Sequence, residues 1–226
     1  MEVLDRIPVL LNLQRVLASL HSEKDSVQAD EIEKTLKLAQ SLAHPRAIYE
    51  VSYVEERDGD RVNLGSIWFS SRVLRRNLDQ IYRVFPHIVT IGGELEEAAS
   101  SSRDLLRQFQ LDVIGNLILG SSRVYLERYL KQRYGLERLS RMSPGSLADW
   151  PLEEQGPLFS IFGDVESLIG VRLTDDYLMI PRKSISGIYF PTEVPFYSCQ
   201  LCPRERCIGR KAPYDPNLVE QYRKPL

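Results

Sequence analysis

The sequence predicts an α+β protein: a mainly antiparallel sheet flanked by helices. Three observations carry that prediction. Ala47, Tyr49, Val51 and Tyr53 alternate as one face of a strand, Asp58-Gly59 is a hairpin signal, and Val62 to Trp68 runs back. Ile32, Leu36, Ala39 and Leu42 recur at helical spacing. Strands and helices do not take turns along the chain as a doubly wound parallel sheet requires.

The elements follow in order. A first helical pattern spans Val9 to Leu20. A second starts near Asp30, with Glu33 three residues on as its capping partner, and ends at His44-Pro45. After the hairpin, Ser71 caps a helix carrying Leu74, Leu78, Ile81 and Tyr82. Pro86 stops it, and His87 to Ile91 reads as a short buried strand before the Gly92-Gly93 turn. Glu94 to Tyr134 is helical, weakened at Gly115 and Gly120. Ser143-Pro144-Gly145-Ser146 is a loop. Pro151 then opens a helix capped by Asp149, with Leu152, Leu158, Phe159 and Phe162 on it. Leu178 to Ile180 and Ser184 to Phe190 read as strands, and the last 35 or so residues are irregular.

A chain of 226 residues fits one domain with appendages. We divide it into a helical segment (1–45), a core (46–197) and a cysteine-containing tail (198–226). A net charge of -2 argues against a general nucleic-acid surface. No apolar run reaches the roughly 20 residues of a membrane span. Ile7 to Leu11 is too short for a signal peptide, since Asn12, Gln14 and Arg15 follow at once, so a cytoplasmic location is expected.

Several familiar chemistries are missing. No G-x-G-x-x-G follows a strand and no Walker A motif occurs. His21, His44 and His87 are far apart and read as surface or packing residues. Glu94, Glu96 and Glu97 suit a helix N-terminus, where negative charge is favoured.

Four stretches, in matching order, resemble the activation domain of cobalamin-dependent methionine synthase, and its stand-alone relatives most of all. They are Arg141-Met142-Ser143-Pro144-Gly145, Trp150-Pro151, Ile169-Gly170-Val171-Arg172-Leu173-Thr174, and Pro181-Arg182-Lys183-Ser184-Ile185-Ser186-Gly187-Ile188-Tyr189-Phe190. The first looks like that family's Arg-x-x-Pro-Gly-Tyr loop and the last like its P-x-x-S-V-S-G-x-Y-F. The resemblance is specific over 141–197 and vaguer over 51–134. It implies that Arg141, Ser143, Gly145, Ser146 and Tyr197 bind S-adenosylmethionine. The physics agrees: a Pro-Gly turn lets a ligand reach the backbone, and an adjacent guanidinium holds a carboxylate by two parallel hydrogen bonds. Departures exist. Ser146 stands where the family has tyrosine; Phe196 is the other register for Tyr197; and the family's acidic contact from the long helix falls among apolar residues near Leu119, leaving Glu127 as a substitute. The family's ligand aspartate from the N-terminal region has no match. Ser184, Ser186 and Gly187 read as shaping the sheet beside the site.

Cys199-x2-Cys202-x4-Cys207 holds all three cysteines. An odd cluster is a poor disulfide framework. The spacing suits zinc or an iron–sulfur cluster, each of which wants four ligands, and no fourth is evident. Arg204, Arg206, Arg210 and Lys211 around the cluster favour thiolates. Three reduced thiols in a surface tail are the equal alternative.

The resemblance implies a repair role. The module would present S-adenosylmethionine to an oxidised Co(II) corrinoid during reductive methylation, chemistry that needs no side-chain nucleophile here. The corrinoid would come from a separate methionine synthase or corrinoid protein, since no D-x-H-x-x-G motif occurs. A flavodoxin or ferredoxin would supply the electron. The alternatives are a non-catalytic scaffold or regulatory subunit that has lost ligand binding, and a metal or iron–sulfur electron-transfer protein using the tail.

Overall fold

The computed structural model describes residues 1–23, 27–207 and 209–224. Strand β1 (Glu2–Leu4) precedes helices α1 (Leu13–Ser19) and α2 (Val27–Leu42). Strands β2 (Arg46–Tyr49), β3 (Ser52–Asp58), β4 (Arg61–Leu64) and β5 (Ile67–Ser70) follow, then α3 (Arg72–Asn77) and β6 (Arg83–Thr90). Helices α4 (Glu94–Ser101) and α5 (Leu105–Tyr134) lead to β7 (Leu139–Met142), a 3-10 turn at Leu152–Glu154, α6 (Gln155–Ser160) and α7 (Val165–Ile169). The small hairpin of β8 (Arg172–Leu173) and β9 (Met179–Ile180) comes before β10 (Ser184–Pro191). A second 3-10 turn at Ser198–Gln200 and helix α8 (Pro216–Arg223) complete the described chain.

The main sheet has eight strands, all paired antiparallel, as the sequence predicts. Strand β6 is its centre. β10 and then β7 lie along one edge of β6; β2 and β3 share the other, with β1 beyond β2 and β4–β5 beyond β3. Alternation divides the two faces. Phe85, Val89 and Tyr189 join the core under α1, α2 and α5. Val84, Ile188 and Phe190 meet Leu74, Trp150 and Leu158 on the other face. Ile48 and Ile88 meet a smaller group with Phe162, Val165 and Val171. Among the described residues no helix is long and apolar enough to cross a membrane.

Several sequence expectations change. The N-terminal segment is not purely helical, because β1 pairs with β2. Helix α1 begins at Leu13, where Asn12 accepts from the Arg15 N–H (2.9 Å), so Val9 and Leu10 lie outside it. Asp30 sits in the first turn of α2 rather than capping it. The expected strand through Ala47 and Tyr53 is interrupted between Tyr49 and Ser52, and Val62 to Trp68 is two strands joined at Gly65-Ser66.

Pro86 does not stop a helix: α3 ends at Asn77 and Pro86 lies inside β6. A proline tolerates a central strand only where no donor is needed. Its carbonyl accepts from Glu50 N at 3.0 Å, so its nitrogen faces the same break between β2 and β3. The long helix breaks at Ser102, not at the glycines, because Asp104 caps α5 through the Leu106 (2.9 Å) and Arg107 (3.3 Å) N–H groups. Gly115 is a packing residue instead; a Cβ there would sit 3.0 Å from Leu95 Cδ2 of α4. Asp149 does not cap the helix after Pro151. Its carboxylate accepts from Val73 N (2.9 Å) and the Ser71 hydroxyl, so it caps α3. The tail is not wholly irregular, since Asp215 caps α8. Strands β1 and β7 had no sequence expectation.

Candidate functional site

Strand β7 runs beside β10 with Arg141 opposite Tyr189, which in turn lies opposite Phe85 of β6. Alternation buries Ser140 and Met142 on one face and turns Arg141 toward the α5 face. The Ser140 hydroxyl accepts from Phe196 N (2.7 Å), tying the segment after β10 back to β7. Gly187 makes the exit of β7 possible: a Cβ there would lie 2.4 Å from the Met142 carbonyl oxygen. Ser143 Oγ uses that closeness to donate to Ser186 O at 2.7 Å.

The Pro144-Gly145 turn follows. Gly145 has φ +77° and donates its N–H to Trp150 O at 2.8 Å. Ser146 folds back, its N–H (3.1 Å) and its hydroxyl (2.6 Å) both bonding Ser143 O. Trp150 is fully buried and meets Phe69 edge to face at 6.1 Å. Ser184 and Ser186 are buried and bond Thr90 Oγ1 (2.9 Å) and Gln155 Oε1 (2.6 Å), so they hold the sheet together.

Between this loop, α5 and the C-terminal tail lies a cavity of about 520 Å³. Arg141, Ser143, Ser146 and Tyr197 all line it. Gly145 does not; it borders a neighbouring hollow of about 340 Å³ under α8. Tyr197 is 41% exposed, whereas Phe196 is buried in the core and packs on Tyr222 at 5.8 Å between ring centroids. Of the two registers, Tyr197 therefore offers the accessible ring.

Charge gathers here. Arg123 of α5 pairs with Glu127 (3.2 Å) and donates to the Tyr189 hydroxyl (3.3 Å). Glu127 also pairs with Lys131 at 3.1 Å. Arg141 has no ion pair or hydrogen bond to its guanidinium among the described residues. Burial holds Arg141 below the ordinary guanidinium range; Tyr189 opposes that and Arg123 adds to it. Lys211 is likewise lowered, first by burial and then by Arg123 and Arg141, against Cys199 and Glu127. His87, fully buried and stacked on Tyr189 at 4.2 Å, is pushed well down by burial and then by the Arg141 charge, so it stays neutral. A guanidinium partly withdrawn from water without a partner is costly unless an anion completes it.

Arg123, Lys211, Tyr189 and His87 were not expected as site residues. Arg123 and Glu127 stand four apart on a helix, a spacing that the sequence shares with any solvated pair.

The three cysteines are free thiols lining the same cavity. Cys199 Sγ accepts from Lys211 N at 3.4 Å. Among the described residues, no three histidines, cysteines or carboxylates stand together as metal ligands. The loop is instead organised by Arg210, whose guanidinium donates to the carbonyls of Cys199 (3.0 Å), Cys202 (3.2 Å), Ala212 (3.2 Å) and Arg204. A cation already fills the centre of the loop, and this arrangement does not fit the expected zinc or iron–sulfur site.

No protein-family model matches the chain, and no curated protein matches it significantly. Its architecture nevertheless has a solved counterpart. The crystal structure of the MetH reactivation domain bound to AdoHcy matches with a TM-score of 0.60, over 87% of this chain and 80% of that one. At 14% identity the likeness establishes a shared fold.

Proposed function

We propose that this protein binds S-adenosylmethionine in the 520 Å³ cavity and presents its methyl group to an oxidised corrinoid carried by a separate protein. The unpaired Arg141 guanidinium beside the Pro144-Gly145 turn carries the reading. Bidentate pairing of Arg141 with the ligand carboxylate would satisfy a half-buried charge that has no other partner among the described residues. Ser143 and Ser146 stand on the turn beside it, and Tyr197 offers an aromatic face to the adenosyl group. The shared fold with a domain solved with AdoHcy adds independent support.

The protein's contribution would be placement. It holds the donor with its methyl toward an opening, and the nucleophile arrives with the partner. The partner's cobalt, reduced to Co(I) by one electron from a flavodoxin or ferredoxin, would take the methyl and leave the neutral thioether. A methionine synthase or related corrinoid methyltransferase is the partner that fits. Titration calorimetry tests the binding step: measurable heat with S-adenosylmethionine is expected. Heat of the same size from an Arg141→Met variant would refute the assigned pose.

A second reading has its own observation. The Ser146 hydroxyl is spent on Ser143 O at 2.6 Å, and the one carboxylate lining the cavity among the described residues, Glu127, already serves Arg123 and Lys131. A scaffold that keeps the fold without the ligand would look like this. A folded protein giving no heat with either S-adenosylmethionine or S-adenosylhomocysteine would favour it.

A further inference from the structure

The charge inventory of the cavity points beyond simple binding. Arg123, Arg141, Arg204 and Lys211 line it against one carboxylate, Glu127. That carboxylate is divided between Arg123 and Lys131 at 3.2 and 3.1 Å. Arg141 has no partner, and Lys211 makes no side-chain hydrogen bond or ion pair among the described residues. The wall therefore carries uncompensated positive charge in a partly desolvated space, where like charges repel more strongly than in water.

S-Adenosylmethionine brings three charges to such a wall: a carboxylate, an ammonium and a sulfonium. S-Adenosylhomocysteine is the same molecule without the sulfonium charge. With the carboxylate on Arg141, the sulfur follows along a two-methylene chain and stays within the field of the same cations. Among the described residues no free carboxylate lines the cavity.

We infer that this cavity discriminates by charge, holding the neutral thioether more tightly than the sulfonium, with Lys211 as a specificity-determining residue. The inference rests on the S-adenosylmethionine reading above. When the methyl leaves for a Co(I) nucleophile, the S–CH3 bond breaks, its electron pair returns to sulfur, and the positive charge at sulfur disappears. A cationic wall disfavours the bound donor more than the transition state, and so promotes transfer.

Titration calorimetry on the full chain, with thiols kept reduced, compares the two ligands at low and high salt. S-Adenosylhomocysteine is expected to bind about tenfold more tightly, a difference of about 1.4 kcal/mol. The gap narrows as salt screens the wall. Lys211→Gln should reduce the ratio about threefold and Lys211→Glu should reduce it further, at unchanged melting temperature, because the residue is exposed and its side chain makes no hydrogen bond or ion pair among the described residues. Equal affinities, or tighter S-adenosylmethionine, in the wild type would overturn the inference while leaving the binding reading intact. A ratio unmoved by both Lys211 variants would remove Lys211 as the determinant. Failure of a folded protein to bind either ligand would overturn the underlying reading, and this inference with it.

Discussion

Arg141→Met separates a ligand-binding arginine from a structural one. A structural arginine loses hydrogen bonds on substitution, and stability falls. Arg141 has none to lose among the described residues: its guanidinium is half-buried, bonds to nothing in the protein and is repelled by Arg123. Methionine keeps a flexible unbranched stem and removes the charge. The free protein should therefore melt at the same temperature or higher, since a desolvated cation leaves the interior. Binding should respond in the opposite direction. A hydrogen-bonded charge is worth about 1.5–3 kcal/mol, which is roughly 10- to 150-fold in affinity. Thermal unfolding of the free protein and calorimetry with S-adenosylhomocysteine give the two numbers from one preparation. A drop in stability of about 2 kcal/mol or more with unchanged affinity would refute the reasoning, because it would make Arg141 a prop for β7 and not a ligand group.

Other outcomes follow from the same geometry. Gly187→Ala places a Cβ 2.4 Å from Met142 O, so β7 must move away from β10; a loss of about 1–3 kcal/mol in urea unfolding is expected, and a wild-type midpoint would show that the two strands are further apart. His87 is held neutral by burial and by the Arg141 charge. Below about pH 6.5 the unfolded chain takes up a proton that the folded chain refuses, so stability declines as pH falls, by at most about 1.4 kcal/mol per unit. His87→Phe keeps a ring on Tyr189 and should flatten that decline between about pH 6.5 and 5, above the carboxylate range; an unchanged slope would mean that another group titrates there. Asp149→Ala removes the cap of α3 at Val73 N and the partner of the Ser71 hydroxyl, and should cost about 1 kcal/mol in chemical denaturation; a neutral result would show that Ser71 alone caps the helix.

Much of the frame was legible because its signals are local. Asp58-Gly59 forms the expected hairpin, Ser71 caps α3 through Leu74 N at 2.9 Å, and the run from Ser184 lies in β10. The structure departs from the sequence expectation where a local signal is overruled by a neighbour. Pro86 reads as a helix stop in isolation, yet it sits in the central strand because the flanking chain breaks beside it. Gly115 reads as a weak point in a helix, yet close contact with Leu95 makes it a seam between α4 and α5. Asp149 has a cap-like position before Pro151, yet its carboxylate reaches α3 from far along the chain.

The candidate site divides the same way. The turn at Pro144-Gly145 and the guanidinium next to it are covalent neighbours, so composition and order alone determined that pairing, along with the antiparallel α+β character of the chain. The tertiary structure decided which charges share a space with Arg141. Arg123 arrives because α5 lies across β10, Lys211 because Arg210 folds the tail back, and the cysteines line the cavity with Arg210 bonded to the carbonyls of their loop. Turns and caps depend on residues a few positions apart, whereas an electrostatic field depends on distance in space, which only the folded chain sets.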